Sequence, residues 1–253
     1  MEFRNSYEDD AYAAAYAKLE FPGTYYLAFR DLPEILSGHV AGRAALDFGC
    51  GTGRSTRFLT KLGFDAVGVD IAEEMIRKAR AIDPAGDYRL VADGDLDRFA
   101  NGSFDLVLSA FTFDNIPTAA KKVGMFSQLT RVLKAGGRIV SLVSSPEIYR
   151  HEWASFTTRD FPENRQAKCG DRVRIIVTAL EDKRPVVDVI WPDEDYREVY
   201  RRSGLDVVEV YRPLGRPDEP YDWVNETTIA PWVIYVLKVT ALRSPGPRGS
   251  RAG

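Results

Sequence analysis

Between residues 43 and 143 the chain alternates short apolar runs with stretches of helical period, and this alternation limits its fold more than any other feature. Ala44-Ala45-Leu46, Ala66-Val67-Gly68-Val69, Tyr88-Arg89-Leu90-Val91, Phe104-Asp105-Leu106-Val107-Leu108 and Arg138 to Val143 read as buried strands. Arg54 to Leu62, Ala72 to Ala81 and residues 119–134 have helical spacing, with Phe58, Leu59 and Leu62 sharing one face of the first. In the second, Glu73 with Arg77 and Glu74 with Lys78 are favourable pairs four residues apart. Strict β/α alternation with short connections builds a parallel sheet with helices on both faces.

The flanks follow other rules. Residues 6–19 read as a helix capped by Ser6, and Phe21-Pro22-Gly23-Thr24 interrupts it. A second helix is expected over 24–37. After residue 144 the rhythm stops. Val173 to Thr178 and Val186 to Ile190 read as a β-hairpin, and the sequence leaves open whether it is a cap or a dimer surface. A helix over Asp193 to Arg202 is expected to be capped by Asp193 and ended by Gly204. Leu205 to Tyr211 and Trp232 to Val239 are two further strands. The polar connection 213–230 between them is long enough to be expected to be functional or mobile. This divides the chain into an N-terminal helical cap (1–40), a main domain (41–240) with an insertion or lid (145–192), and a disordered tail (241–253).

Composition narrows the partners. Thirty-four basic against 37 acidic residues leave a formal charge of −3, which gives no overall attraction to nucleic acid or to an anionic membrane. Two cysteines, Cys50 and Cys169, make no disulfide framework, and no Cys/His spacing suggests a metal site. The first residues carry no signal-peptide core, and no apolar stretch is long enough to span a bilayer. The expectation is a cytoplasmic enzyme or binding protein that contacts neither nucleic acid nor membrane.

The chemistry begins at Asp47-Phe48-Gly49-Cys50-Gly51-Thr52-Gly53, between the first strand and its helix. A Gly-rich turn of this kind implies close approach to the backbone, by a ligand or by packing. The chain has no G-x-x-x-x-G-K-[ST] string for a P-loop. The dinucleotide fingerprint fails as well: its third glycine falls on Arg54 counting from Gly49, and on Thr56 counting from Gly51.

What remains, D-x-G-x-G-x-G, resembles motif I of the class I (Rossmann-like) S-adenosylmethionine-dependent methyltransferases. Further stretches continue the resemblance. Val67-Gly68-Val69-Asp70-Ile71 ends the second strand on a carboxylate, Ala92-Asp93-Gly94-Asp95-Leu96 follows the third, and Ser103 to Ser109 and Arg131 to Gly137 resemble the approaches to strands four and five. The likeness is close over about residues 40–145. It implies a doubly wound, mainly parallel seven-stranded sheet with an antiparallel last strand, the N-terminal helical cap and a small inserted β-hairpin or lid. It also implies S-adenosylmethionine as cofactor. By the same resemblance Asp47 orients the cofactor's amino group, and Gly49 and Gly51 let the cofactor approach the backbone. Asp70 accepts the ribose hydroxyls, Ile71 and Met75 flank the adenine, Asp93 and Gly94 hydrogen-bond its ring, and Ser109 closes the fourth-strand motif.

The acceptor side departs from the family pattern at Ser109-Ala110-Phe111-Thr112-Phe113-Asp114-Asn115. The amino-methylating [DNS]-P-P-[FYW] motif is absent there, and neither cysteine suits an RNA cytosine enzyme. A small-molecule acceptor, methylated on nitrogen or oxygen, is the reading that remains. Its pocket is expected among Tyr16, Tyr25, Phe111, Phe113, Trp153 and Trp223, whose number suggests an aromatic acceptor. Taken singly, most of these read as lid or core packing. His151 and Asp114 are the candidates for moving a proton, although methyl transfer does not require such a group. No metal is expected, and a monomer or a homodimer is. The alternatives are a protein or RNA methyltransferase, or a non-methylating cofactor-binding protein on the same fold.

Overall fold

The strand pairing of a computed structural model, which describes residues 23–92 and 95–240, is that of a doubly wound sheet. In chain order the elements begin with α1 (Thr24–Arg30), α2 (Leu32–His39), β1 (Ala44–Phe48), α3 (Arg54–Lys61), β2 (Asp65–Asp70), α4 (Glu73–Ile82) and β3 (Asp87–Leu90). Then come β4 (Phe104–Ala110), α5 (Ala119–Val132), β5 (Leu133–Ser144), β6 (Phe156–Thr157), β7 (Arg172–Val177) and β8 (Val186–Val189). The last are α6 (Asp193–Arg202), β9 (Leu205–Tyr211) and β10 (Trp232–Val239). Seven strands lie in the order β3-β2-β1-β4-β5-β10-β9. Those from β3 to β5 are parallel, and β10 runs antiparallel to both β5 and β9. The winding runs outward from β1 to β3, then returns to place β4 on the other side of β1. The strand order therefore switches at β1 and β4, where such sheets open a crevice at their carboxyl ends.

Period-two alternation divides the core between the faces. Leu106 and Leu108 of β4, with Ile234 and Val236 of β10, pack toward Leu27, Leu32 and Leu36 of the N-terminal helices. Val107, Tyr235 and Leu237 point the other way, onto Phe126 and Leu129 of α5 and Tyr196 and Tyr200 of α6. A sheet covered on both faces accepts the near-continuous apolar runs seen in β4 and β10.

Several local expectations change. The helix over 24–37 is two helices, because Pro33 in the first turn of α2 has no N–H to continue α1. The fifth strand starts at Leu133, directly from α5. A register shift against β4 and a left-handed Gly136 (φ 83°) absorb the Gly-Gly pair as an irregularity inside it. The cap of α6 is Pro192, so Asp193 is its first helical residue, and its carboxylate accepts from Tyr235 Oη at 2.6 Å and Arg197 Nε at 2.7 Å. The helix over 6–19, the first part of the N-terminal cap, Tyr16 and the tail 241–253 lie outside the described residues.

The hairpin forms as β7 and β8, with β6 added to its edge. Arg172 and Arg174 face outward, while Val173, Ile175 and Val177 join the core beside Tyr25 and Trp232. It therefore covers one end of the main sheet.

The long connection between β9 and β10 is tied down by one carboxylate. Glu226 is fully buried. Its Oε1 accepts from Thr24 Oγ1 (2.6 Å) and Ala154 N (2.8 Å), and its Oε2 from Val224 N (2.8 Å) and Asn225 N (3.1 Å). One side chain thus joins α1, the segment before β6 and the connection itself. Glu226→Ala leaves three backbone N–H groups without that partner. It is expected to remove about 3–4 kcal/mol of stability, read as a melting temperature lower by roughly 6–15 °C. A shift within about 2 °C would contradict this role for Glu226.

Candidate functional site

The crevice is shaped by the turn after β1. Gly49 (φ 77°), Gly51 (φ 52°) and Gly53 (φ 80°) are all left-handed, and the N–H groups of Gly49 and Cys50 both donate to Val69 O, at 2.8 and 2.9 Å. The three glycines answer different needs. A Cβ at Gly49 would lie 2.1 Å from Thr112 Oγ1, and one at Gly53 would lie 2.5 Å from the Tyr88 ring. At Gly51 a Cβ would meet no protein atom within 4 Å. Packing explains Gly49 and Gly53, so the close approach expected at both Gly49 and Gly51 is open at Gly51 alone.

Two carboxylates flank this turn. Asp70 Oδ2 accepts from Gly51 N (2.8 Å) and its Oδ1 from Ala72 N (2.9 Å), so one side chain binds the turn to the start of α4. Burial pushes its carboxyl above the usual range, opposed by these backbone donors. Asp47 is fully buried. Its Oδ2 accepts from Ser55 Oγ (2.7 Å) and Thr56 Oγ1 (2.6 Å), whereas its Oδ1 has no hydrogen-bond partner. Burial pushes the Asp47 carboxyl up to about 6, against the pull of the two hydroxyls. A buried carboxylate oxygen without a donor is unfavourable on its own, and Asp47 lies behind the turn rather than in the lining of the crevice.

A cleft of about 1090 Å³, its open mouth included, runs from Gly51 and Asp70 past Ile71 and Met75 to Phe111 and Asn115. Ile71 is 49% exposed and Met75 is buried, which gives one wall an apolar ledge. Asp93 and Gly94 lie outside the described residues. Ser109 is fully buried, its Oγ has no partner, and it does not line the cleft. Arg54, not singled out from the sequence, also lines the cleft, with its guanidinium 5.1 Å from the Tyr25 ring centre and 5.5 Å from that of Phe29.

A second, smaller cavity of about 400 Å³, its open mouth included, adjoins the cleft and shares Phe111 and Asn115 with it. Tyr25, Phe156, Trp232 and Tyr149 line it as well. Phe111 is the one non-glycine residue among those described with a left-handed backbone (φ 64°), so local strain sits at the junction of the two cavities. Thr112 Oγ1 donates to Phe48 O at 2.9 Å and holds this segment against the Gly turn. Asn115 Oδ1 is buried at the same junction without a donor.

Other expected acceptor residues lie elsewhere. Phe113 is fully buried and stacks on Phe126, with ring centres 4.0 Å apart, because the short 3-10 turn Thr112–Asn115 rotates it away from Phe111. Trp153 is buried, with its indole N–H donating to Ile148 O at 2.8 Å. Trp223 donates to Arg216 O, packs on Tyr221 and lines neither cavity. His151 is half-buried, 3.1 Å from Glu147 Oε2, and lines a separate pocket with Arg159 and Arg165 rather than the cleft or the second cavity.

Asp114 does reach the second cavity. It accepts from Ser144 N at 3.0 Å and Tyr196 Oη at 3.3 Å. Two residues the sequence reading passed over sit close by. The ammonium of buried Lys122 donates to Phe113 O and lies 4.6 Å from the Trp191 ring centre, while Asp188 of β8 accepts from Tyr149 Oη at 3.0 Å. Burial pushes both carboxyls up and the Lys122 ammonium down.

Residues 46–141 match the family model for a methyltransferase domain. The demethylmenaquinone methyltransferase of Tropheryma whipplei (strain Twist) is 38% identical over 106 residues, which is 41% of this chain and 42% of that protein. The ubiquinone biosynthesis O-methyltransferase of Methylococcus capsulatus is 34% identical over 104 residues, 40% of this chain and 43% of that protein. The chain thus spans less than half the length of these curated relatives. An S-adenosylmethionine-dependent methyltransferase from Clostridium acetobutylicum shares the fold, with a TM-score of 0.62 at 14% identity over 91% of this chain and 98% of that one.

The raised carboxyl of Asp47 fixes the sign of a pH effect. Its contribution to stability is complete below the unfolded value of about 4 and is lost as pH rises through about 6, where the buried group must ionise. Asp47→Asn keeps an acceptor for both hydroxyls and removes the charge. The ligand-free variant is expected to exceed the wild type by about 1–2 kcal/mol at pH 8, with the gain vanishing near pH 4. Paired urea melts across this range check it, and a gain independent of pH would contradict it.

Proposed function

We propose that the chain, whose residues 46–141 match a methyltransferase domain, is a class I (Rossmann-like) S-adenosylmethionine-dependent methyltransferase that moves a methyl group to nitrogen or oxygen of a small aromatic acceptor. The observation that carries the cofactor half of this reading is the pairing of Gly51, whose missing Cβ opens the turn to the cleft, with the Asp70 carboxylate beside it in the same lining. These fit the group: Gly51 lets a ligand lie against the backbone, and Asp70 offers it an acceptor. Asp70 would hold the ribose hydroxyls with the lone pairs that its two backbone bonds leave free, while Ile71 and Met75 would flank the adenine. Asp93 and Gly94 would take its ring edge, as the resemblance implies. When bound, the cofactor supplies an already activated methyl group.

This chain's residues then have to place the acceptor and keep water away. The second cavity supports the acceptor half: it meets the cleft at Phe111 and Asn115, and aromatic rings form its walls. Two relatives carry names from menaquinone and ubiquinone biosynthesis, and a flat ring is the kind of acceptor such walls would stack on. Residues 145–192, which include β6 to β8, would act as the lid over that cavity. The near-balanced charge favours a small molecule over nucleic acid, and no described helix is long and apolar enough to cross a membrane.

Titration calorimetry with S-adenosylmethionine tests the reading. The wild type is expected to bind in the micromolar range, and Asp70→Ala to weaken binding by about 100-fold through lost charge-assisted hydrogen bonds. Because Asp70 also holds the turn, Gly51→Ala is the second variant. It projects a methyl group into the cleft and is expected to weaken binding by at least about tenfold. Wild-type protein that binds no cofactor would overturn the assignment.

A further inference from the structure

The second cavity has a floor that an aromatic acceptor alone does not explain. Asp114 reaches it from the turn after β4, and Asp188 from β8, which packs against that turn. Both are nine-tenths buried or more. One buried cation, Lys122, serves the pair from the core side. Its ammonium donates to Phe113 O, lies over the Trp191 and Tyr196 rings, and does not line the cavity. Fully ionised, the group would carry one negative charge in excess; burial raises both carboxyls, so in the unliganded protein a bound proton offsets that charge. Ser144 N donates to both oxygens of Asp114 and Tyr196 Oη to its Oδ1, while Asp188 receives one donor among the described residues, Tyr149 Oη on Oδ2. Above this floor stand the rings of Tyr25, Phe111, Phe156 and Trp232, with Phe111 and Trp232 centred 4.8 Å apart.

Carboxylates in excess at the bottom of an aromatic box suit a cation. Ring faces attract an ammonium, and a desolvated carboxylate binds it through charge-assisted hydrogen bonds. A phenolate would meet carboxyls that could ionise only against its own sign, and a neutral alcohol gives the pair no charge to ionise against, whereas an ammonium lets the pair ionise. We propose that this cavity is the acceptor site and that it selects a small amine, held as its ammonium by Asp188 with Asp114 beside it. The inference rests on the cofactor cleft proposed above and narrows the acceptor to one chemical class.

The chemistry balances. The ammonium N–H bond breaks and its proton goes to the Asp188 carboxylate, leaving a neutral amine and a carboxylic acid. The freed lone pair then forms the new bond to the methyl carbon as the carbon–sulfur bond breaks, its electron pair staying on sulfur. The positive charge passes to the methylated amine. Asn115 Oδ1, without a donor at the junction of the two cavities, is placed to accept one amine N–H and hold the lone pair toward the cleft.

Matched probes test this by calorimetry on the full chain saturated with S-adenosylhomocysteine. Benzylamine, benzyl alcohol and phenol share a ring and differ in the group offered to the floor. Benzylamine is expected to bind at least about tenfold tighter than either neutral probe. Asp188→Asn, which still accepts from Tyr149, is expected to erase that preference, and Asp114→Asn to reduce it. Affinity for S-adenosylhomocysteine is expected to stay unchanged in both, which also shows that they fold. A preference for the alcohol or the phenol, equal binding of all three, no benzylamine binding, or a preference surviving both substitutions would overturn the inference while the cofactor reading stands. Wild-type protein that fails to bind S-adenosylhomocysteine overturns that reading and this one together.

Discussion

The carboxylate of Asp70 is the constraint on which the rest of the structure depends. It ends β2, receives the N–H of Gly51 from the neighbouring strand's turn, and receives the N–H of Ala72 at the entry to α4. One residue earlier, the Val69 carbonyl takes two more N–H groups from the same turn. A left-handed glycine turn has little intrinsic preference for one shape, since glycine loses more backbone freedom on folding than other residues. These four bonds choose the shape and place the turn at the switch point of the sheet. The loop after β4 is fastened to it in turn, through Thr112 on the Phe48 carbonyl and against the face of Gly49 that lacks a Cβ. The cleft and the smaller cavity are both consequences of that fastening.

Around this frame the protein tolerates charges that do not favour folding. Asp47 keeps an oxygen without a donor, Asp114 and Asp188 share one cation, and Phe111 holds a left-handed backbone between them. Each feature is unfavourable alone and lies beside the cleft or in the smaller cavity. Glu226 offers the contrast. It is equally buried, all four of its hydrogen bonds are made within the protein, and it serves the fold alone. Burial does not distinguish these acids. An oxygen left without a donor sets Asp47 apart from Glu226, and a cavity at the carboxyl sets Asp114 and Asp188 apart.

The legibility of the sequence follows the same division. The sheet could be read because strand and helix periods are local, and the seven strands lie where apolar runs between turns put them. The placement of Asp47, Gly51, Asp70 and Ile71 around one turn could be read because they fall within one βαβ unit, where sequence spacing fixes spatial spacing. Asp188 could not. It lies 74 positions after Asp114 in a hairpin whose docking depends on tertiary packing, and an acid in the short strand Val186–Val189 looks like an outward residue of a surface strand. The assignment of Phe113 to the acceptor side failed for a local reason: a 3-10 turn follows Phe111, and two residues along it the ring faces the core. His151 and Trp153 lie in a segment without period, and there residue type suggested chemistry that position does not support.

The central claim is that the turn held by Asp70 is a cofactor seat opening onto an acceptor cavity. A crystal structure of the chain grown with S-adenosylhomocysteine tests this most directly. The account predicts density along the cleft, with the ribose on Asp70 and the sulfur facing Phe111 and Asn115. Density elsewhere, or a sulfur directed away from that junction, would contradict it.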